Sequence, residues 1–151
     1  MSLEPSVQTQ IDPETEPKTM LEVVIVTIDL QRFAFLLSDL QAVLRSKITK
    51  LPGVNPLISG MINVQGELIG VLELGLLLGF QDHVNQEDCV LLVLTRHGKV
   101  GLHVPNLPEL ETVDAALCTW INHQIAVLEG AIVLLDLDLL LEAAPLPKNN
   151  V

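Results

Sequence analysis

Apolar residues in this chain fall into short runs, nearly all bounded by glycine, proline or a polar pair, and that rhythm predicts strands joined by tight turns. Glu22-Val23-Val24-Ile25-Val26-Thr27-Ile28 is rich in β-branched residues, and Asp29-Leu30-Gln31 leads directly into Arg32-Phe33-Ala34-Phe35-Leu36-Leu37, so two paired strands are expected. Ser38 then reads as an N-cap and Asp39 as a first-turn acid. Leu40, Val43 and Leu44 follow at helical spacing with Arg45 at the end, so a short helix is predicted here. Ile48-Thr49-Lys50 is a brief extended piece before Leu51-Pro52-Gly53 and Asn55-Pro56 interrupt regular structure.

The densest pattern runs from Gly60 to Gly79. Met61-Ile62 with Val64, and Leu68-Ile69 with Val71-Leu72, are separated by Gln65-Gly66-Glu67, whose glycine can take the positive φ of a hairpin. Glu73 then precedes a leucine run closed by Gly79, the pattern of one or two helical turns with an acid at the start and a glycine at C′. Beyond the polar loop Gln81 to Asp88, Cys89 to Thr95 reads as a strand buried on both faces. Arg96-His97-Gly98-Lys99 is its turn, Val100 to Val104 its partner, and Glu109 to Val113 a further short strand. A loop with Trp120 precedes a last hairpin, Ile121 to Leu128 and Ala131 to Leu135 about Glu129-Gly130, and Asp136 to Glu142 closes it helically. Glu73-Leu74-Gly75-Leu76-Leu77-Leu78 and Asp136-Leu137-Asp138-Leu139-Leu140-Leu141 share an acid at the start and four leucines. The repeated order of strand, turn, strand and helix implies two similarly built β-barrel-like lobes within one mainly β domain over residues 21–142, with a disordered lead-in at 1–20 and a tail at 143–151.

Composition narrows the function classes. The 151 residues carry 19 acidic side chains against 8 lysines and arginines, a net charge of −11 that repels nucleic-acid phosphates and anionic lipid. No run approaches the ~20 apolar residues of a membrane span, and the proline-bearing stretch Met1 to Thr19 has no apolar core of a signal peptide, so a cytoplasmic location is expected. Cys89 and Cys118 lack CxxC spacing; Cys89 sits in an apolar run and reads as a buried free thiol.

Residues that could carry chemistry are few and isolated. His83, His97, His103 and His123 occur singly, without HExxH or a carboxylate at ligand spacing, so no metal is expected. Ser59, in Leu57-Ile58-Ser59-Gly60, lacks the first glycine of a nucleophile elbow and reads as a polar turn residue. No glycine-rich phosphate loop appears, and no cofactor is expected. Asp136 and Asp138 could divide acid and base roles, but their place before a leucine run favours helix capping. A non-enzymatic module acting through its surface is the reading these residues support.

Taken in order, the phrases resemble the CheW-like domains, the coupling proteins of bacterial chemotaxis, across roughly Leu21 to Leu141. Gly60-Met61-Ile62-Asn63-Val64-Gln65-Gly66 is similar to the family's Gly-x-x-Asn-Leu-Arg-Gly, and Val71-Leu72-Glu73-Leu74 to its Val-x-Asp-Leu phrase. Leu51-Pro52-Gly53 and Leu134-Leu135-Asp136-Leu137 also fit. The resemblance implies two five-stranded SH3-like β-barrels packed together. It also implies an adaptor that bridges methyl-accepting chemoreceptors and a CheA-type histidine kinase in chemotaxis or pilus-based motility. By position it puts Gly60, Asn63 and Gln65 in the coupling segment, and Leu40 on a helix that meets receptor and kinase. Gln65 stands where the family has arginine, Ala42 where many members carry glutamate, Gly70 in place of a proline and Gly75 in place of an arginine. Those departures imply weaker coupling or a changed partner. A scaffold or self-associating module is the second reading; a small-ligand protein, with a nucleotide between the lobes as the example, is the third.

Overall fold

β1 (Met20–Ile28) and β2 (Gln31–Leu36) pair antiparallel across Asp29-Leu30, whose φ values of 48° and 70° give the backbone twist a two-residue hairpin needs. The computed structural model describes residues 19–53, 55–80, 89–120, 125–128, 131–142 and 144. Six strands form the first sheet. To β1 and β2 it adds β8 (Glu109–Asp114), β9 (Thr119–Trp120), β10 (Ile125–Leu128) and β11 (Ile132–Leu135), in the order β8-β1-β2-β11-β10-β9. The second sheet holds β3 (Leu40–Arg45), β4 (Ile58–Val64), β5 (Glu67–Glu73), β6 (Cys89–Thr95) and β7 (Gly98–Val104), in the order β3-β6-β7-β5-β4. Two short helices, α1 (Leu74–Leu77) and α2 (Leu137–Glu142), follow β5 and β11, as the repeated acid-leucine phrase predicts.

Successive side chains of a strand point to opposite faces, and here both faces are used. Val23, Ile25, Ala34, Val113 and Ile132 form the interior of the first sheet's lobe. Ile62, Ile69, Val71, Val90 and Leu92 form that of the second, with Ala42 and Leu44 packed against them. The alternate residues meet in a shared core: Val24, Val26, Ile28, Phe33 and Phe35 from the first sheet, and Leu72, Leu91, Val93, Val100, Leu102 and Val104 from the second. Leu137 and Leu141 of α2 complete it, and the Phe33 and Phe80 rings meet edge to face, 5.8 Å apart. This explains why β6 reads as a continuous apolar run. Its Val90 and Leu92 face one core, its Leu91 and Val93 the other.

The mainly β, two-lobed architecture agrees with the expectation, while strand number and closure differ from two five-stranded barrels: the sheets have six and five strands in open order. The second comes nearer to closing, because the Thr49 N–H donates to the Met61 carbonyl and the Met61 N–H to that of Thr49, both at 2.9 Å, along the edge of β4.

One expected element is corrected. No helix follows Ser38; Leu37–Asp39 make a 3₁₀ turn without a side-chain cap, and Leu40 to Arg45 are strand. Pairing with β6 bonds this backbone and sends Ala42 and Leu44 into the lobe interior, leaving Gln41, Val43 and Arg45 outside. That tertiary gain overrides a helical spacing of only three leucine and valine positions. Trp120, expected in a loop, belongs to the two-residue β9. The lead-in up to residue 18, the loop 81–88, the Glu129-Gly130 turn and all of the tail but Ala144 lie outside the described residues. Cys89 is buried, and neither it nor Cys118 is joined in a disulfide.

Candidate functional site

The hairpin of β4 and β5 brings three of the four anticipated contact residues together. Gln65 and Gly66, with φ of 53° and 89°, make its two-residue turn, and the Asn63 Oδ1 accepts from the Gly66 N–H at 2.8 Å. Asn63 and Gln65 are both exposed. Gly60 is buried and has φ +149°; a Cβ there would lie 2.1 Å from the Thr49 carbonyl oxygen, so its place is to let the two backbones close. Leu40 stands apart from this hairpin. It opens β3, at the other end of the strand order, and packs against the shared core. Ala42, where many family members carry glutamate, is half-buried and packs against the second lobe's interior. Beside the hairpin's turn, Lys99 of β7 meets Glu67 at 3.2 Å, a solvent-exposed pair of the kind that contributes about 0–1 kcal/mol.

At the other end of the same lobe lies a polar cluster that sequence reasoning missed. β4 pairs Ile58 with Leu72 and Gly60 with Val71, so Ser59 is the extra residue of a bulge, a device that re-aims side chains. Glu73 and His103 are register partners on the parallel strands β5 and β7. The Ser59 hydroxyl donates to Glu73 Oε2, and His103 Nδ1 lies 2.6 Å from that oxygen and 3.4 Å from the Ser59 Oγ. The His103 and Glu73 side chains are 9% and 16% exposed, and at that depth the carboxylate needs its donors.

Two expectations change with this cluster. Glu73 does not cap α1 through its side chain, and Ser59 is a strand residue, not a turn residue. The alternation of β5 held the signal for the acid: Ile69 and Val71 point inward, so Glu73, two further on, must too. Its meeting with a histidine of β7 depends on the β5–β7 pairing, which no local pattern announces. The arrangement is not a nucleophilic triad. In a triad the two imidazole nitrogens divide serine and acid between them, whereas here both partners sit at Nδ1 and the hydroxyl donates to the carboxylate.

The acid pair before α2 is divided. Asp136 Oδ1 accepts from the Leu139 N–H at 3.3 Å, the capping role expected of it, while Asp138 Oδ1 accepts from the Arg96 N–H at 2.8 Å. Arg96 also reaches Glu142 at 3.1 Å, so α2 grips the β6–β7 turn from both ends. Burial, with the nearby charges of Asp138 and Asp136, raises the Asp39 carboxyl above the ordinary aspartate value. A cleft of about 320 Å³ lies beside Met20, Leu21, Glu22, Leu36, Leu37 and Ser38. Its lining has an acid and no cation, which does not suit a nucleotide phosphate. Among the described residues no group of three metal-ligating side chains converges, and no helix is long and apolar enough to cross a membrane.

Comparison with known proteins adds a family and a fold. The family of the CheW-like domain matches residues 22–144. The crystal structure of the scaffolding protein TtCheW from Thermoanaerobacter tengcongensis is similar, with a TM-score of 0.72 and 22% identity over 83% of this chain and 95% of that one. No curated protein matches the chain.

Proposed function

Since this chain belongs to the CheW-like domain family, we propose that it is a non-enzymatic cytoplasmic adaptor coupling methyl-accepting chemoreceptors to a CheA-type histidine kinase, in chemotaxis or pilus-based motility signalling. The observation that carries the reading is the family match over nearly the whole described chain, and it is supported by an exposed polar hairpin made of the residues that resemble the family's Gly-x-x-Asn-Leu-Arg-Gly motif. Within that reading the four residues divide the work. Gln65 at the turn touches the partner, Asn63 fixes the turn through Gly66, Gly60 admits the Thr49 backbone, and Leu40 supports β3 from the shared core.

Co-purification of the full chain with its cognate receptor cytoplasmic fragment, and with the kinase regulatory domain, tests the proposal; absence of binding to either at tens of micromolar removes it. A specific residue favours a second reading, a scaffold or self-associating module that has lost receptor coupling, because Gln65 offers a neutral amide in place of an arginine fork. Gln65→Arg separates the two. A gained charge-assisted bond contributes about 1.5–3 kcal/mol, tenfold or more in affinity, so the adaptor reading expects tighter kinase binding and raised kinase activation. An unchanged affinity with self-association at the same concentrations supports the scaffold.

A further inference from the structure

His103 is the one polar or charged residue in the buried class among the described residues, and it sits where strand pairing is locally irregular. β4 is the last strand in its sheet's order. On its outer side Thr49 supplies two backbone bonds to Met61, and on its inner side the ladder to β5 slips at Ser59. At the slip the Glu73 N–H still donates to the Leu57 carbonyl at 2.8 Å, and side-chain chemistry adds to that bond: Ser59 on β4, Glu73 on β5 and His103 on β7 gather about one carboxylate oxygen.

We propose that these three residues form a proton-responsive tie, which holds β4 to the β5–β7 pair more tightly when the His103 imidazole is protonated and more loosely when it is neutral. Histidine changes charge between about pH 5 and 8. With Nδ1 2.6 Å from a carboxylate oxygen and both side chains sheltered, gaining a positive charge turns a hydrogen bond from a neutral ring into a hydrogen-bonded ion pair where water screens little. The described residues placed about His103 by strand pairing bring no cation beside it. β5 presents Glu73, β4 presents the neutral Ser59 and β6 presents Val90, while Cys89 of β6 faces the shared core and α1 holds only leucine and glycine. Lys99, on the same strand, lies at its far end against Glu67. Because Ser59 adjoins Gly60, the tie acts at the root of the β4–β5 hairpin. It belongs to the free chain and needs no partner.

Amide hydrogen exchange on the full chain at pH 5.5 and pH 8, corrected for intrinsic exchange chemistry, reads the tie directly. The Met61 and Ile62 amides should be protected several-fold more at pH 5.5, relative to Leu91 in the centre of β6, and Glu73→Gln should abolish that difference. A difference that persists in Glu73→Gln overturns the proposal, as does a wild-type chain without one. A second measurement needs no variant: the His103 ring and the Met61 amide, followed by NMR from pH 5 to 8, should shift along one common curve. A ring that does not titrate, or one that titrates while Met61 stays still, overturns it equally.

Discussion

A Cβ added at Gly60 would meet the Thr49 carbonyl oxygen at 2.1 Å and its carbon at 2.8 Å, backbone atoms that cannot swing aside. At Gly66 the same Cβ would meet nothing within 4 Å, although φ is also positive. Gly66→Ala therefore carries only the left-handed backbone cost of about 1–2 kcal/mol. Gly60→Ala adds to its own backbone strain the separation of Thr49 from β4, a further overpacking cost of about 1–3 kcal/mol. Denaturant midpoints should rank Gly60→Ala well below Gly66→Ala, and equal midpoints would rule out the close approach. Asp39 makes a different prediction. Burial first, then Asp138 and Asp136, raise its folded-state value, so the fold binds this proton more tightly than the unfolded chain does. The stability that protonation supplies is present below the ordinary aspartate value of 3.8 and is lost as pH rises through the raised folded value. Asp39→Asn should accordingly raise the melting temperature near neutral pH, by less than a core substitution lowers it, and the gain should vanish below pH 4. A gain that persists in acid would point to a cause other than charge.

Elements were legible where one pattern was enough. Strands of β-branched residues, the Gln65-Gly66 turn, the Arg96-His97 turn and both leucine helices all follow from local chemistry, and all are present. The β3 stretch is ambiguous in the sequence because Leu40, Val43 and Leu44 fit a helix as well as a strand, and the deciding fact, pairing of Val43 with Leu91, involves residues far along the chain. The candidate site divides in the same way. Asn63 and Gln65 were found because a hairpin writes its turn into adjacent residues. Ser59, Glu73 and His103 were passed over one at a time because their meeting rests on a bulge and a parallel register, neither of which leaves a local signature. The same limit hid Asp138: its capping role was inferred from the next leucines, yet its carboxylate reaches back to Arg96.

For the whole molecule, the shared core decides how the two lobes behave. Among the described residues each lobe interior holds five buried side chains, while the cluster between the sheets holds fifteen and draws on both. A lobe that came apart alone would expose its half of that cluster, together with the α2 contacts at Asp138 and Glu142 that grip the β6–β7 turn. Two independent unfolding steps are therefore disfavoured, even though the acid-leucine repeat describes two similarly built halves. Thermal unfolding should show one transition by both far-UV circular dichroism and Trp120 fluorescence, coincidence being the test of two-state behaviour. Ile132→Val in the first interior and Ile69→Val in the second should each lower that common midpoint, by the about 0.5–1.5 kcal/mol typical of one lost methylene. Leu102→Ala in the shared core should cost more, about 2–5 kcal/mol, again without splitting the transition. Should Ile132→Val and Ile69→Val instead shift separate transitions, the lobes would be independent units. An adaptor built that way could loosen one lobe without the other, whereas the packing here makes any partner that stabilises one stabilise both.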